Sequence, residues 1–396
     1  MISLIGISLI LLFCWGISKN RKLINYRTIF TGLLLQAGLA FFILRTSIGR
    51  QIFNSLGSAV ISLIEIAGKG GEFAFGSLYN SSNFIFAFKV TPAIIFISAL
   101  VSVLYYLNLM HPIMKCFSWV LQKIMHVSGA EALANIASAF VGQVESALPL
   151  RPYFTKLSQA QFFSIMVGGM STISAALLAT YSSLGIPSHY LLAANLMGIP
   201  SGLVIAKLIW PSENSDSEQS LPEPDMPKSS NVMDAAVHGA QEGLKISLGV
   251  ISIVIAFISI VGLIDSGLGK FHLSLSQILG YVLSPFTFLM GVPWEESKFV
   301  GSLLGEKLAL NEFVAFVDLL SKKQICVISE RALTIATFLI CGFANFGSVA
   351  IQLGAFSQIL PEKRAEFAQM GILAMIGGAL ASCLSACWAN LFFQQI

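Results

Sequence analysis

The chain has 396 residues, of which 55% are hydrophobic and only 11% charged, where soluble domains carry roughly 25% charged residues. With a mean hydropathy of +0.79, this excludes a soluble enzyme, a nucleic-acid-polymer binder and a disordered chain, and leaves an all-α polytopic membrane protein. The net charge of +3 is too small to call for a polyanionic partner.

A helix needs about 20 apolar residues to cross the hydrocarbon core. Residues 2–18 are the first uncharged run. No Lys or Arg precedes it and no small-residue cleavage site follows, which argues against a signal peptide. Lys19, Arg21, Lys22 and Arg27 come next, so the positive-inside rule makes that loop cytoplasmic and turns the N-terminus outward. Spans are expected over 28–44 and 90–109. Residues 157–206 carry no Asp, Glu, Lys or Arg and have room for two spans, broken near Gly185-Ile186-Pro187. Residues 211–245, with Pro211, Pro222, Pro224 and Pro227, read as a flexible linker between two halves. Residues 246–264 are a further span. The runs 332–361 and 367–396 are the last two, separated by Glu362, Lys363, Arg364 and Glu366. That makes eight crossings, with both termini outside.

Two regions, 110–156 and 271–331, are moderately apolar but punctuated by charges. Each has the same order: an amphipathic piece (110–125; 275–292), then a small-residue helical piece ending in an acid (128–145; 294–312). Two long uncharged runs follow each. If these regions are re-entrant hairpins, the span at 246–264 inverts the second unit relative to the first. Inverted repeats with broken helices near the midplane are a common plan of secondary transporters.

The two acids are Glu145, after Val141-Gly142-Gln143-Val144, and Glu312, after Leu310-Asn311. A carboxylate in a bilayer costs about 3 kcal/mol on insertion scales. Either both sit at the water interface, or they face a polar site between two hairpin tips. Gly142 and Pro149 support a break there, and freed backbone groups need partners that a hydrophilic ligand or an ion can supply. The uncharged spans carry matching polar breaks at Gly168–Ala176 and Cys341–Ser348. Close helix packing explains the glycines. It explains Asn345 poorly, since a mid-span amide needs hydrogen bonds; three residues on, Ser348 shares its helix face. Two acids, amides and hydroxyls suit a neutral, hydroxyl-rich solute. The six cysteines and five histidines have no metal-ligand spacing, and no HExxH or Gly-x-Ser-x-Gly is present, so neither a metal, a cofactor nor an enzyme is expected.

At this point the chain resembles the concentrative nucleoside transporter family over nearly its full length. The stretches that carry the resemblance are Gly70–Gly76, Asn83–Pro92, Ser98–Tyr106, Val141–Glu145, Gly291–Trp294, Asn311–Ala315 and Cys341–Asn345. The resemblance implies a homotrimer in a bacterial cytoplasmic membrane and ion-coupled nucleoside uptake by an elevator-like motion. It divides the chain into a mainly scaffold part (1–109, with three spans and an interfacial segment), a first transport repeat (110–210), a cytoplasmic linker (211–245), a scaffold helix (246–270) and a second transport repeat (271–396). It also implies that Gln143 and Glu145 face the nucleobase, that Glu312, Asn345 and Ser348 bind the ribose hydroxyls, and that Leu177 contacts the substrate.

Two departures from the family pattern bear on substrate and ion. Val144 stands where a hydroxyl residue is usual, which removes a polar group beside the base. In sodium-coupled members an Asn precedes the hairpin glycine by four, with a Ser in the next span. Here Ser138 and Thr172 hold those places, beside Val141 and Ile173. Losing the amide removes a carbonyl-type ligand for a hard cation, so a proton is favoured, carried by Glu145 or Glu312. Sodium stays open at Ser138, Val141, Thr172 and Ile173, with Asn135 as a substitute ligand. A membrane-embedded enzyme or a channel would be the competing classes. An enzyme would change its substrate, and a channel would ignore the ion gradient.

Overall fold

The computed structural model describes residues 2–79, 85–144, 146, 150, 154–212, 229–325 and 328–393. Among them every regular element is a helix. A lipid solvent selects this outcome, because a spanning segment must satisfy its own backbone N–H and C=O groups.

Four helices open the chain: α1 (Ile2–Gly16), α2 (Tyr26–Arg45), α3 (Ser47–Phe75) and α4 (Phe86–Tyr106). The Asn25 side chain caps α2 by accepting from the amides of Arg27 and Thr28, and Thr46 caps α3 in the same way from Gly49. Next come α5 (Met110–Met125), α6 (Gly129–Ser138), α7 (Gln159–Ser171), α8 (Ala175–Ser183) and α9 (Ser188–Ile209). The 37-residue α10 (Val232–Leu268) follows, about 55 Å long. The order then recurs in α11 (Leu275–Leu289), α12 (Trp294–Ala309), α13 (Glu312–Ile325), α14 (Glu330–Ile340), α15 (Phe346–Ile359) and α16 (Arg364–Phe392). In both units an amphipathic helix leads into a hairpin arm, then an interrupted span, then an unbroken one. The axes of α11 and α12 meet at 116°.

Six described segments are long and apolar enough to cross a membrane: Tyr26–Arg45, Ser47–Leu78, Ala87–Tyr106, Gln159–Ser183, Ser188–Ile209 and Pro361–Phe392. This differs from the eight expected spans in four ways, the first being that 246–264 is not among the six. The run at 2–18 is helical only as the 15-residue α1, about 22 Å long and short for a crossing. The run at 332–361 is divided between α14 and α15. Conversely, α3 meets the criterion although no span is expected between 44 and 90. Glu65, Lys69 and Glu72 break its charge-free run, while Ile48, Ile52, Leu56, Ile61 and Ile66 still leave it a long apolar exposed surface.

The linker is also shorter than 211–245. Helix α10 begins at Val232, where the Asn231 side chain accepts from the Asp234 amide, and residues 213–228 lie outside those described. After the last proline, Ala, Met, Gln, Glu and Lys favour helix over coil. The expected span 246–264 falls inside α10.

Burial separates interior from periphery. In the most apolar stretch of Gln159–Ser183, 94% of residues are buried, and 89% in Ser188–Ile209, against 17% in Ser47–Leu78. Helices α7, α9, α14 and α16 therefore form the centre, and α3 lies at the edge. The interrupted span α7–α8 and helix α14 belong to that centre, while α15 turns only the face of Ser348, Gln352 and Phe356 inward; the residues at both breaks are buried.

Candidate functional site

Each interrupted span restarts with a capped half-helix. Ser174 accepts from the Leu177 amide at the start of α8, and Asn345 accepts from the Ser348 amide, at 2.8 Å, at the start of α15. Asn345 and Ser348 are thus neighbours through a cap rather than through a shared helix face, because Asn345 precedes the helix in an extended conformation. Gly342 sets up this break with φ +142°, a conformation suited to glycine, and a Cβ there would meet the Met170 carbonyl oxygen at 2.9 Å.

The hairpin tips face these breaks. Arm α6 starts at a capping box, Ser128 with Glu131, and ends at Ser138. The expected helical piece to 145 is therefore shorter, because the chain turns through Ala139–Gly142, with Gly142 at φ +116°. Gln143 and Val144 follow at the tip. Glu145 lies outside the described residues. At the second tip α12 ends at Ala309, and the Asn311 side chain accepts from the Val314 amide at 2.9 Å to start α13. Glu312 thus heads the second arm instead of ending the first, and the positive end of that helix favours its carboxylate.

A cavity of about 250 Å³ lies between tips and breaks, close in size to the smaller small-molecule clefts of about 300 Å³. Gln143, Val144, Leu177, Glu312, Asn345 and Ser348 all line it, with Tyr181, Phe313 and Phe343. Every described residue expected to meet the substrate is therefore brought to one place. Glu312 is only 5% exposed. The Tyr181 hydroxyl donates to its Oε1 at 2.8 Å and Asn345 Nδ2 donates to its Oε2 at 3.1 Å. An ionised carboxylate offers about four acceptor positions, so about two remain for a solute. Gln143 Nε2 donates to Ser348 Oγ at 3.1 Å, and its Oε1 accepts from Gln352 Nε2 at 3.3 Å. Gln352 also donates to the Met166 carbonyl at 3.2 Å.

Tyr181 and Gln352 escaped the sequence reading. Tyr181 stands four residues after Leu177, hence on the same face of α8, and that spacing could have found it. Gln352 stands four after Ser348 in the same way.

Three of the four candidate ion positions, Ser138, Thr172 and Ile173, are buried at the α7–α8 break, and Val141 borders the cavity. The Ser138 and Thr172 hydroxyls are 2.9 Å apart. Ser138 Oγ is 2.8 Å from the Asn135 carbonyl and Thr172 Oγ1 is 3.1 Å from the Gly168 carbonyl. Asn195 accepts from the Ile173 amide at 2.8 Å and donates to the Ala139 carbonyl at 3.0 Å, tying break to tip. Asn135 Nδ2 donates to the Glu131 carbonyl, while its buried Oδ1 accepts no hydrogen bond among the described residues.

Comparison with known proteins bears on this geometry. Residues 5–78 match the family model described as Na+ dependent nucleoside transporter N-terminus, 87–188 match Nucleoside recognition, and 190–390 match Na+ dependent nucleoside transporter C-terminus. The chain is 39% identical to the uncharacterized transporter YutK of Bacillus subtilis, over 98% of each chain. It is 34% identical to nucleoside permease NupC of Helicobacter pylori, over 98% of this chain and 97% of that one. Its structure is similar to that of CNTnw in an inward-facing substrate-bound state, with a TM-score of 0.94 and 34% identity over 99% of each chain.

Proposed function

The chain belongs to the concentrative nucleoside transporter family, and on that premise we propose that it imports nucleosides against their gradient across a bacterial cytoplasmic membrane, coupled to protons. The observation that carries the substrate side is the Glu312 carboxylate, buried in the cavity and held by Tyr181 and Asn345 with acceptor positions to spare. A vicinal diol supplies two adjacent donors, and a charged acceptor binds them more strongly than a neutral one. In this reading Glu312, Asn345 and Ser348 take the ribose, Gln143 and Glu145 face the base, and Leu177 covers an apolar edge. Val144 gives the base no hydrogen bond.

The contact between Ser138 and Thr172 supports the proton. Both hydroxyls are engaged with each other and with helix carbonyls, so a cation between them would have to break those bonds. A proton needs only an acid, Glu312 or Glu145. One charge moving through 100 mV supplies about 2.3 kcal/mol, roughly a fifty-fold accumulation. The Asn135 Oδ1 favours sodium as the second reading, since a buried carbonyl-type oxygen one turn before Ser138 is a suitable ligand. The working form is a homotrimer, in which 1–109 and 246–270 are mainly scaffold and the two repeats move together as an elevator.

Uptake of uridine and adenosine by proteoliposomes tests this. Accumulation rises when the outside is acid, collapses with a protonophore and is unchanged when choline replaces sodium. Strict sodium dependence reverses the choice of ion. Failure of both nucleosides to compete for any site removes the substrate reading.

A further inference from the structure

Lys307 is fully buried in α12, one helical turn before the tip residue Asn311. Among the described residues no carboxylate pairs with it. Glu312 acts on its charge through space rather than by contact, and an ammonium this deep is costly unless hydrogen bonds replace its lost hydration. Its Nζ donates to the Leu339 carbonyl at 2.7 Å and to Ser382 Oγ at 2.9 Å. Ser382 Oγ in turn lies 3.2 Å from the Cys341 carbonyl and 3.3 Å from the Gly378 carbonyl.

Leu339 sits in the last turn of α14, and Cys341 is its C-cap. The final carbonyls of a helix lack intrahelical partners and carry the negative end of its dipole. The charge therefore lies where the span is cut. Gly342 follows with its positive φ, and then Asn345 and Ser348, which line the cavity. The first repeat has another arrangement at the same junction. There α6 leans on the α7–α8 break, and the groups that meet are two neutral hydroxyls, Ser138 and Thr172. One hairpin arm brings oxygen atoms to its partner's break, and the other brings a charge of its own.

We propose that Lys307 is a tethered cation and a positioning residue: its ammonium holds the cut end of α14 so that the following loop presents Asn345 to Glu312 and to the substrate. Its consequence for transport rests on the nucleoside reading of the cavity, but the device can be tested without a nucleoside.

The probe is the Cys341 thiol, buried at the break, in a chain whose other cysteines, Cys14, Cys116, Cys326, Cys383 and Cys387, are alanine. Maleimide labelling of Cys341 is slow with Lys307 in place. Lys307→Ala removes a propylammonium's worth of side chain, and labelling accelerates by at least about tenfold, the loss expected for a charge-assisted hydrogen bond. Millimolar propylammonium restores slow labelling, whereas propan-1-ol, of similar size and uncharged, does not. Lys307→Met, which fills the space without charge, labels as fast as Lys307→Ala. Uridine affinity falls and returns in parallel. Slow labelling of Lys307→Met, or equal rescue by propan-1-ol and propylammonium, overturns the proposal. Failure of the nucleoside reading is a separate result: the single-cysteine chain labels slowly with Lys307 and fast in both variants, as stated, yet binds no uridine.

Discussion

Glu312 is held by donors from two directions, Tyr181 in α8 and Asn345 before α15. Glu312→Gln keeps the shape but removes the charged acceptor, and uridine binding measured by calorimetry weakens about 10- to 100-fold. Unchanged affinity contradicts its placement on the ribose. Tyr181→Phe deletes one donor to Oε1 and lowers affinity about tenfold, with the circular dichroism of the chain unaltered. These residues differ in how far the sequence exposes them. An acid between apolar neighbours is conspicuous because lipid penalises it, so Glu312 is legible. Tyr181 is less so: its spacing from Leu177 places it on the cavity face, but an aromatic residue in an apolar span is ordinary and its role comes from a hydrogen bond across 131 positions of sequence.

At the scale of elements, the polar breaks, the amphipathic helices and the starts of the hairpin arms are readable, and the ends of the arms are not. Helix α5 coincides with the amphipathic run 110–125 because its period is set locally. Arm α6 stops well short of Glu145, because the turn at Gly142 and contacts from α7 and α9 decide its end. The base of that arm carries a buried ion pair, Glu131 with Lys207 at 2.6 Å, joining α6 to α9. Glu131→Gln leaves Lys207 uncompensated and destabilises the protein by about 3–5 kcal/mol. Thermal unfolding in detergent reads this as a lower midpoint. Adding Lys207→Met recovers much of the loss, and no recovery in the double variant contradicts pairing as the cause.

The whole molecule is two runs of the same element order around a shared centre. That order could be read because the charge-free runs and the punctuated regions alternate twice. The span α3 could not, since charges such as Lys69 and Glu72 hide a helix whose apolar face remains long. At this scale the coupling ion is a property of the membrane gradient: a step in external pH from 7.5 to 5.5, about 2.7 kcal/mol per proton, accelerates uridine uptake into vesicles, and an equal step in sodium does not. Acceleration by sodium alone overturns proton coupling.

The cross-ties of the pocket have a consequence for cutting the polypeptide in two. Gln143 reaches Ser348 and Gln352, and Tyr181 reaches Glu312, so each half of the polypeptide holds only part of the receptor. Severing the chain after residue 228 yields two fragments that are individually blind to uridine. Co-expressed, they complement one another and recover it, because the hydrogen bonds that assemble the pocket run between side chains of the two halves.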